Sequence, residues 1–147
     1  MTRVAAIDCG TNSIRLLVAD GHIDESGRPH LADLTRQMRI VRLGQGVDAR
    51  GYLDPAAIER TVEATVEYQR MIEALGATKT RFVATSATRD ASNSADFVRQ
   101  IKAVIGVEPE VVVGTEEASL SFNGAVSGLG ESVAAPMLVV DIGGGST

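Results

Sequence analysis

Two stretches of this chain end an apolar run in an aspartate and follow it with glycine and small hydrogen-bonding residues. Val4-Ala5-Ala6-Ile7 leads into Asp8-Cys9-Gly10-Thr11-Asn12-Ser13, and Met137-Leu138-Val139-Val140 leads into Asp141-Ile142-Gly143-Gly144-Gly145-Ser146. Glycine allows backbone geometries and close approaches that side chains block, and successive backbone N–H groups at such a bend make a concavity for an anion. Taken singly, the first bend also reads as a hairpin turn and the second as a flexible linker. Their repetition behind matching aspartates favours a pair of phosphate-binding loops. Two carboxylates beside one phosphate repel it unless a cation lies between them, so Asp8 and Asp141 point to Mg²⁺ (or Mn²⁺) held by one or two carboxylates, phosphate oxygens and water. The plainer alternative is an aspartate that caps its own turn.

Glu116 and Glu117 follow Thr115 in the first turn of an expected helix, where the helix dipole favours carboxylates, so stabilisation alone accounts for both. A carboxylate there can also orient and deprotonate water. Arg89 follows a strand at the edge where α/β crevices lie, and its guanidinium can hold phosphate through two N–H bonds or pair with Asp90 or Asp96. Asn93 either positions that loop, with Thr85 and Ser86, or caps the next helix. Cys9 reads as a core filler. His22 and His30 flank a turn without metal-ligand company and read as solvated. Arg36, Arg39 and Arg42 make either a basic edge toward a polyanion or the charges of an exposed strand.

These residues need elements to hold them. The 147 residues suit about one domain of 100 to 200 residues, and with 44% hydrophobic residues a real core is available. Arg3 to Cys9, Ser13 to Asp20 and Leu31 to Val41 read as strands of an antiparallel meander. Leu43 to Asp54 reads as a loop. Asp54 and Pro55 then start a helix that closes at Gly76, with Ile58, Val62, Tyr68, Met71, Ile72 and Leu75 as its apolar stripe. Arg81 to Thr85 is a further strand, Asn93 opens a helix to Gly106, Glu110 to Val113 is a strand, and Thr115 caps a last helix. The order βββαβαβα followed by β predicts an α/β fold: a mixed five-stranded sheet, three antiparallel strands and then parallel βα units, with helices on its faces. Residues 1–127 form the first domain. Residues 128–147 are expected to be a flexible connector (Gly128 to Ala135), then the first strand and phosphate loop of a second domain, so the chain reads as a fragment.

Composition narrows the function. Fourteen Lys and Arg against nineteen Asp and Glu leave a net charge of −5, which offers no general field for nucleic acid or an anionic membrane. Aromatics are 3% with no Trp, too few for a base-stacking platform. One Cys forbids an internal disulfide, no apolar run approaches the roughly 18 residues of a membrane span, and Asp8 interrupts the opening before a signal peptide forms. A cytoplasmic protein with no nucleic-acid or membrane partner is expected.

Five motifs in this order carry a resemblance: Asp8-Cys-Gly-Thr-Asn-Ser, Val41-Arg-Leu-Gly-Gln-Gly-Val-Asp, Ala84-Thr-Ser-Ala-Thr-Arg-Asp-Ala-Ser-Asn93, Gly114-Thr-Glu-Glu-Ala118 and Asp141-Ile-Gly-Gly-Gly-Ser-Thr147. Together they resemble the exopolyphosphatase and guanosine pentaphosphate phosphohydrolase family; the first and last recur across the actin-like ATPase superfamily. The resemblance implies two actin-like, ribonuclease-H-like domains with the site in the cleft between them. The implied chemistry is divalent-cation-dependent hydrolysis of terminal phosphoanhydride bonds of polyphosphate, or of guanosine pentaphosphate, by a protein expected to be a homodimer when complete. It also implies roles: Glu117 as catalytic base, Asp141 at the metal, Asp8 with Gly10, Thr11, Asn12 and Ser13 as the first phosphate loop, Gly143, Gly144, Gly145 and Ser146 as the second, and Arg89 on the phosphate. The family continues Gly-Gly-Gly-Ser-Thr with a metal-holding Glu that lies past Thr147, so the fragment alone is expected to be inactive. The competing readings are an actin-like sugar or acetate kinase and a non-enzymatic actin-like ATPase module.

Overall fold

A computed structural model describes residues 1–25, 27–127 and 136–145. Alternation writes the sheet. In β1 (Thr2–Cys9) Ala5, Ile7 and Cys9 are buried while Ala6 and Asp8 take the other face. In β2 (Ser13–Ile23) Ile14, Leu16 and Val18 are buried, and in β4 (Lys79–Ala84) Phe82 and Ala84. With β3 (Pro29–Ile40) and β5 (Glu110–Val111) these strands form a five-stranded sheet in the order β3-β2-β1-β4-β5. The β1–β2 and β2–β3 pairs are antiparallel, and the β1–β4 and β4–β5 pairs parallel. This is the mixed sheet expected from the sequence.

One face of the sheet carries the core. Helix α2 (Pro55–Leu75) begins where the Asp54 carboxylate accepts from the Ala56 N–H at 2.9 Å, with proline at its first position, and ends on Gly76 in the left-handed region. Its Ile58, Tyr68 and Ile72 join Phe97, Ile101 and Ile105 of α4 (Ser94–Ile105) against the inward row of strands. The buried Tyr68 hydroxyl donates to the Ile14 carbonyl at 3.0 Å, so this core aromatic leaves no polar atom stranded.

Several local expectations change. The loop after Leu43 contains a helical turn, α1 (Val47–Arg50), and the Ala84 to Asn93 motif contains another, α3 (Ser86–Arg89). Asn93 makes no side-chain cap on α4. Its amide instead grips the buried Leu53, accepting from the Leu53 N–H at 2.8 Å and donating to its carbonyl at 3.0 Å. Two strong backbone partners outcompete one helix-end N–H, so the loop-positioning reading holds. Helix α5 (Gly114–Ser127) buries none of its residues. Met137 to Val140, expected as a strand, runs without strand pairing: side chains alternate between half-buried and exposed, with Leu138 at 87% exposure, but the segment joins no ladder among the described residues. The expected connector Gly128 to Ala135 lies outside the described residues, as does Ser146.

Candidate active site

The β1–β2 bend is built as the sequence implies. The Gly10 N–H donates to the Ser13 carbonyl at 3.0 Å, closing a two-residue hairpin around Thr11 and Asn12. The carbonyls of these two residues are occupied on the far side: Thr11 accepts from the Gly44 N–H at 2.8 Å, and Asn12 from the N–H groups of Arg42 at 2.8 Å and Val41 at 3.0 Å. Gly44 is required for this seat, since a Cβ there would overlap the Thr11 methyl and stand 3.0 Å from the Ala87 Cβ. The Thr11 and Ser86 hydroxyls lie 2.9 Å apart, which ties α3 to the same bend.

The second glycine run lies directly on the first. A Cβ on Gly145 would stand 2.7 Å from the Thr11 hydroxyl oxygen and 3.1 Å from that of Ser86, and one on Gly144 would stand 3.2 Å from the Asn12 Cβ. Only glycine lets these backbones approach so closely. Between the bends is a cavity of about 280 Å³ lined by Gly10, Thr11, Asn12, Ser13, Gly143 and Gly144, with Asp8, Glu117 and Asp141 on its wall. Two segments nearly a chain length apart therefore share one space.

That space gathers carboxylates. Crowding by the surrounding protein pushes the Asp8 carboxyl above its ordinary range, the nearby Glu117 and Asp141 charges push it further, and Arg15, 3.6 Å away, opposes them. Asp8 nevertheless keeps 53% of its side-chain surface open. Glu117 enters from α5, whose first turn is started by the Val113 carbonyl accepting from the N–H groups of Glu116 and Glu117. The Asp141 carboxylate accepts from the Ser121 hydroxyl one helical turn later, at 2.5 Å. Among the described residues no group of three His, Cys, Asp or Glu side chains is set as a ready metal cage. Crowded carboxylates next to backbone that can hold phosphate still fit a cation of the Mg²⁺ type, which takes one or two carboxylates and fills its shell with water and phosphate oxygens.

Arg89 stands apart from the cavity between the loops. Its Nη1 donates to the Val112 carbonyl at 3.0 Å and lies 3.7 Å from the Glu117 Oε2, while its Nε is 3.4 Å from Asp90. The surface pair with Asp90 and the reach toward the site are thus both present. Cys9 is buried and its thiol is pushed far up by burial, in keeping with a core filler. His22 and His30 stack across the β2–β3 hairpin with centroids 5.2 Å apart, and the His30 Nε2 lies 2.7 Å from Asp24.

Sequence reasoning missed Arg15 and the role of Gly44. Arg15 was within reach, because a hairpin centred on Thr11 and Asn12 places Arg15 opposite Asp8, the register observed. Gly44 lay in a recognised motif, but only the fold brings it against Thr11.

The Ppx/GppA phosphatase family profile matches residues 22–147. The chain belongs to this family. Exopolyphosphatase 2 of Mycobacterium tuberculosis is 52% identical across the whole of this chain, which covers 47% of that protein. The chain thus spans about half the length of the curated relatives it matches most fully. The crystal structure of the Aquifex aeolicus Ppx/GppA family member superposes with a TM-score of 0.75 at 30% identity, covering 87% of this chain and 40% of that one. That of an exopolyphosphatase from Cytophaga hutchinsonii gives 0.77 at 28% identity, covering 87% and 39%. The family resemblance carried by the five motifs, and the actin-like fold it implied, are borne out.

Proposed function

We propose that this Ppx/GppA chain supplies the first half of an exopolyphosphatase site, and that the complete protein hydrolyses the terminal phosphoanhydride bond of polyphosphate. The observation that carries this reading is the meeting of two glycine bends around one cavity walled by Asp8, Glu117 and Asp141. Backbone N–H groups of Thr11 to Ser13, in the bend that Gly10 shapes, and of Gly143 to Ser146 hold the terminal phosphoryl group. Glu117 takes a proton from water as the water oxygen bonds to the terminal phosphorus and the bond to the bridging oxygen breaks, releasing orthophosphate and a chain one unit shorter. Asp8 and Asp141 hold Mg²⁺ (or Mn²⁺), which when bound supplies countercharge for the phosphate oxygens. Arg89 exchanges its hold on the Val112 carbonyl for a phosphate oxygen when substrate fills the cleft. Guanosine pentaphosphate is a second substrate of the same chemistry. The protein works in the cytoplasm as a homodimer; no described helix is long and apolar enough to cross a membrane.

Replacing Glu117 with Gln in the full-length protein tests the reading. Turnover on polyphosphate is expected to fall by about 10²- to 10⁴-fold, the usual contribution of a positioned base, with polyphosphate affinity retained. Near-normal turnover removes Glu117 from the base role. Phosphate released to water without any acceptor, by polyphosphate and guanosine pentaphosphate in parallel assays, separates hydrolase from kinase and ranks the two substrates.

A further inference from the structure

Helix α5 carries Glu117 yet buries no residue of its own, so the hydrophobic core does not fix where that carboxylate stands. Its first turn is instead held by polar contacts. On the sheet side, Arg81 of β4 reaches two elements at once. Its Nη2 lies 2.6 Å from the Glu110 Oε2 and 3.3 Å from the Glu116 Oε1, and its Nε lies 3.0 and 3.1 Å from the two Glu110 oxygens. The forked grip on Glu110 orients the guanidinium, which holds the Glu110 carboxyl well below its ordinary range. The remaining contact goes to the residue beside Glu117.

The register shows what this link spans. Arg81 is paired with Ala6 on β1, two residues before Asp8, so Arg81 and Asp8 belong to the same outward row of the sheet. Arg81, Asp8, Glu117 and Asp141 also line one cavity of about 550 Å³ between that row and α5. A single side chain therefore ties the strand face that bears one site carboxylate to the helix turn that bears another.

We propose that Arg81 is a positioning residue of the active site, setting the distance of Glu117 from Asp8 through its bridge to Glu116. The proposal rests on the reading of Glu117 as the base. An exposed ion pair adds little to global stability, so the effect belongs in turnover rather than folding, and a misplacement of about 1 Å in a reacting group can cost on the order of 10²-fold in rate.

The test uses full-length protein with Arg81→Ala, Glu116→Ala, their combination, and Glu117→Gln. Arg81→Ala is expected to lower kcat by about tenfold or more while KM stays within about twofold. Glu116→Ala removes the acceptor and leaves the Arg81–Glu110 grip intact, and it is expected to reproduce the kcat loss. The double variant should lose no more than either single one, because both break one link. If Glu117→Gln is inactive but Glu116→Ala keeps kcat within about twofold of wild type, or if the two losses multiply, the positioning role is overturned. If Glu117→Gln itself remains active, the base assignment fails and the Arg81 proposal fails with it.

Discussion

Asp8 is a carboxylate that the fold crowds, and crowding has a thermodynamic sign. Its folded-state titration lies above the ordinary range, chiefly because the protein around this half-open side chain displaces water, against the pull of Arg15 and with added push from Glu117 and Asp141. The folded chain therefore binds this proton more tightly than the unfolded chain does. That preference contributes stability below the unfolded value of about 3.9 and is lost as pH rises through the raised folded value, so at neutral pH the ionised group weakens the fold. Asp8→Asn is expected to melt above wild type at neutral pH, with the difference closing below about pH 4. Added Mg²⁺ should raise the melting temperature of wild type more than that of the variant, since only wild type keeps both carboxylates for a cation. Thermal melts of the 147-residue chain across pH, with and without the cation, check both. A variant that melts below wild type at neutral pH contradicts the crowding.

At the scale of elements, the β1–β2 bend is clamped from two sides, by the 41–44 segment on its carbonyls and by α3 on the Thr11 hydroxyl. Helix α5 is the opposite case, with no buried face. One substitution type separates the two. Gly44→Ala drives a methyl into Thr11 and is expected to destabilise the chain by about 1–3 kcal/mol, the usual cost of overpacking. Gly124→Ala, within α5 and with nothing near its Cβ position, is expected to stabilise by about 0.5–1 kcal/mol through helix propensity. Urea titrations of both variants read the two signs directly; equal effects would show that the Gly44 contact yields without cost.

At the scale of the whole molecule, the chain covers 47% of the Mycobacterium tuberculosis relative that it matches from end to end. Turnover is therefore expected to require the complete protein. The purified 147-residue chain should release negligible phosphate from polyphosphate with Mg²⁺ present. Robust metal-dependent release from that chain would place the whole catalytic unit within these residues.

Much of this was legible before any coordinates, because the signals are local. Alternating Ala5, Ile7 and Cys9, the Asp54-Pro55 start of α2 and the tight bend at Thr11 and Asn12 each depend on residues a few positions apart, where backbone sterics and short hydrogen bonds decide the outcome. The five motifs likewise named the family. What only the tertiary structure decided are choices among competing partners. Asn93 prefers the Leu53 backbone to a helix end, Arg89 rests on Val112 and against Glu117, and Arg81 bridges Glu110 to Glu116. Met137 to Val140 has a strand's alternation without a strand's hydrogen bonds, since a ladder needs a second backbone and sequence pattern cannot supply one. Local chemistry fixes what each segment can form; only the packing of distant segments determines which of those options has a partner.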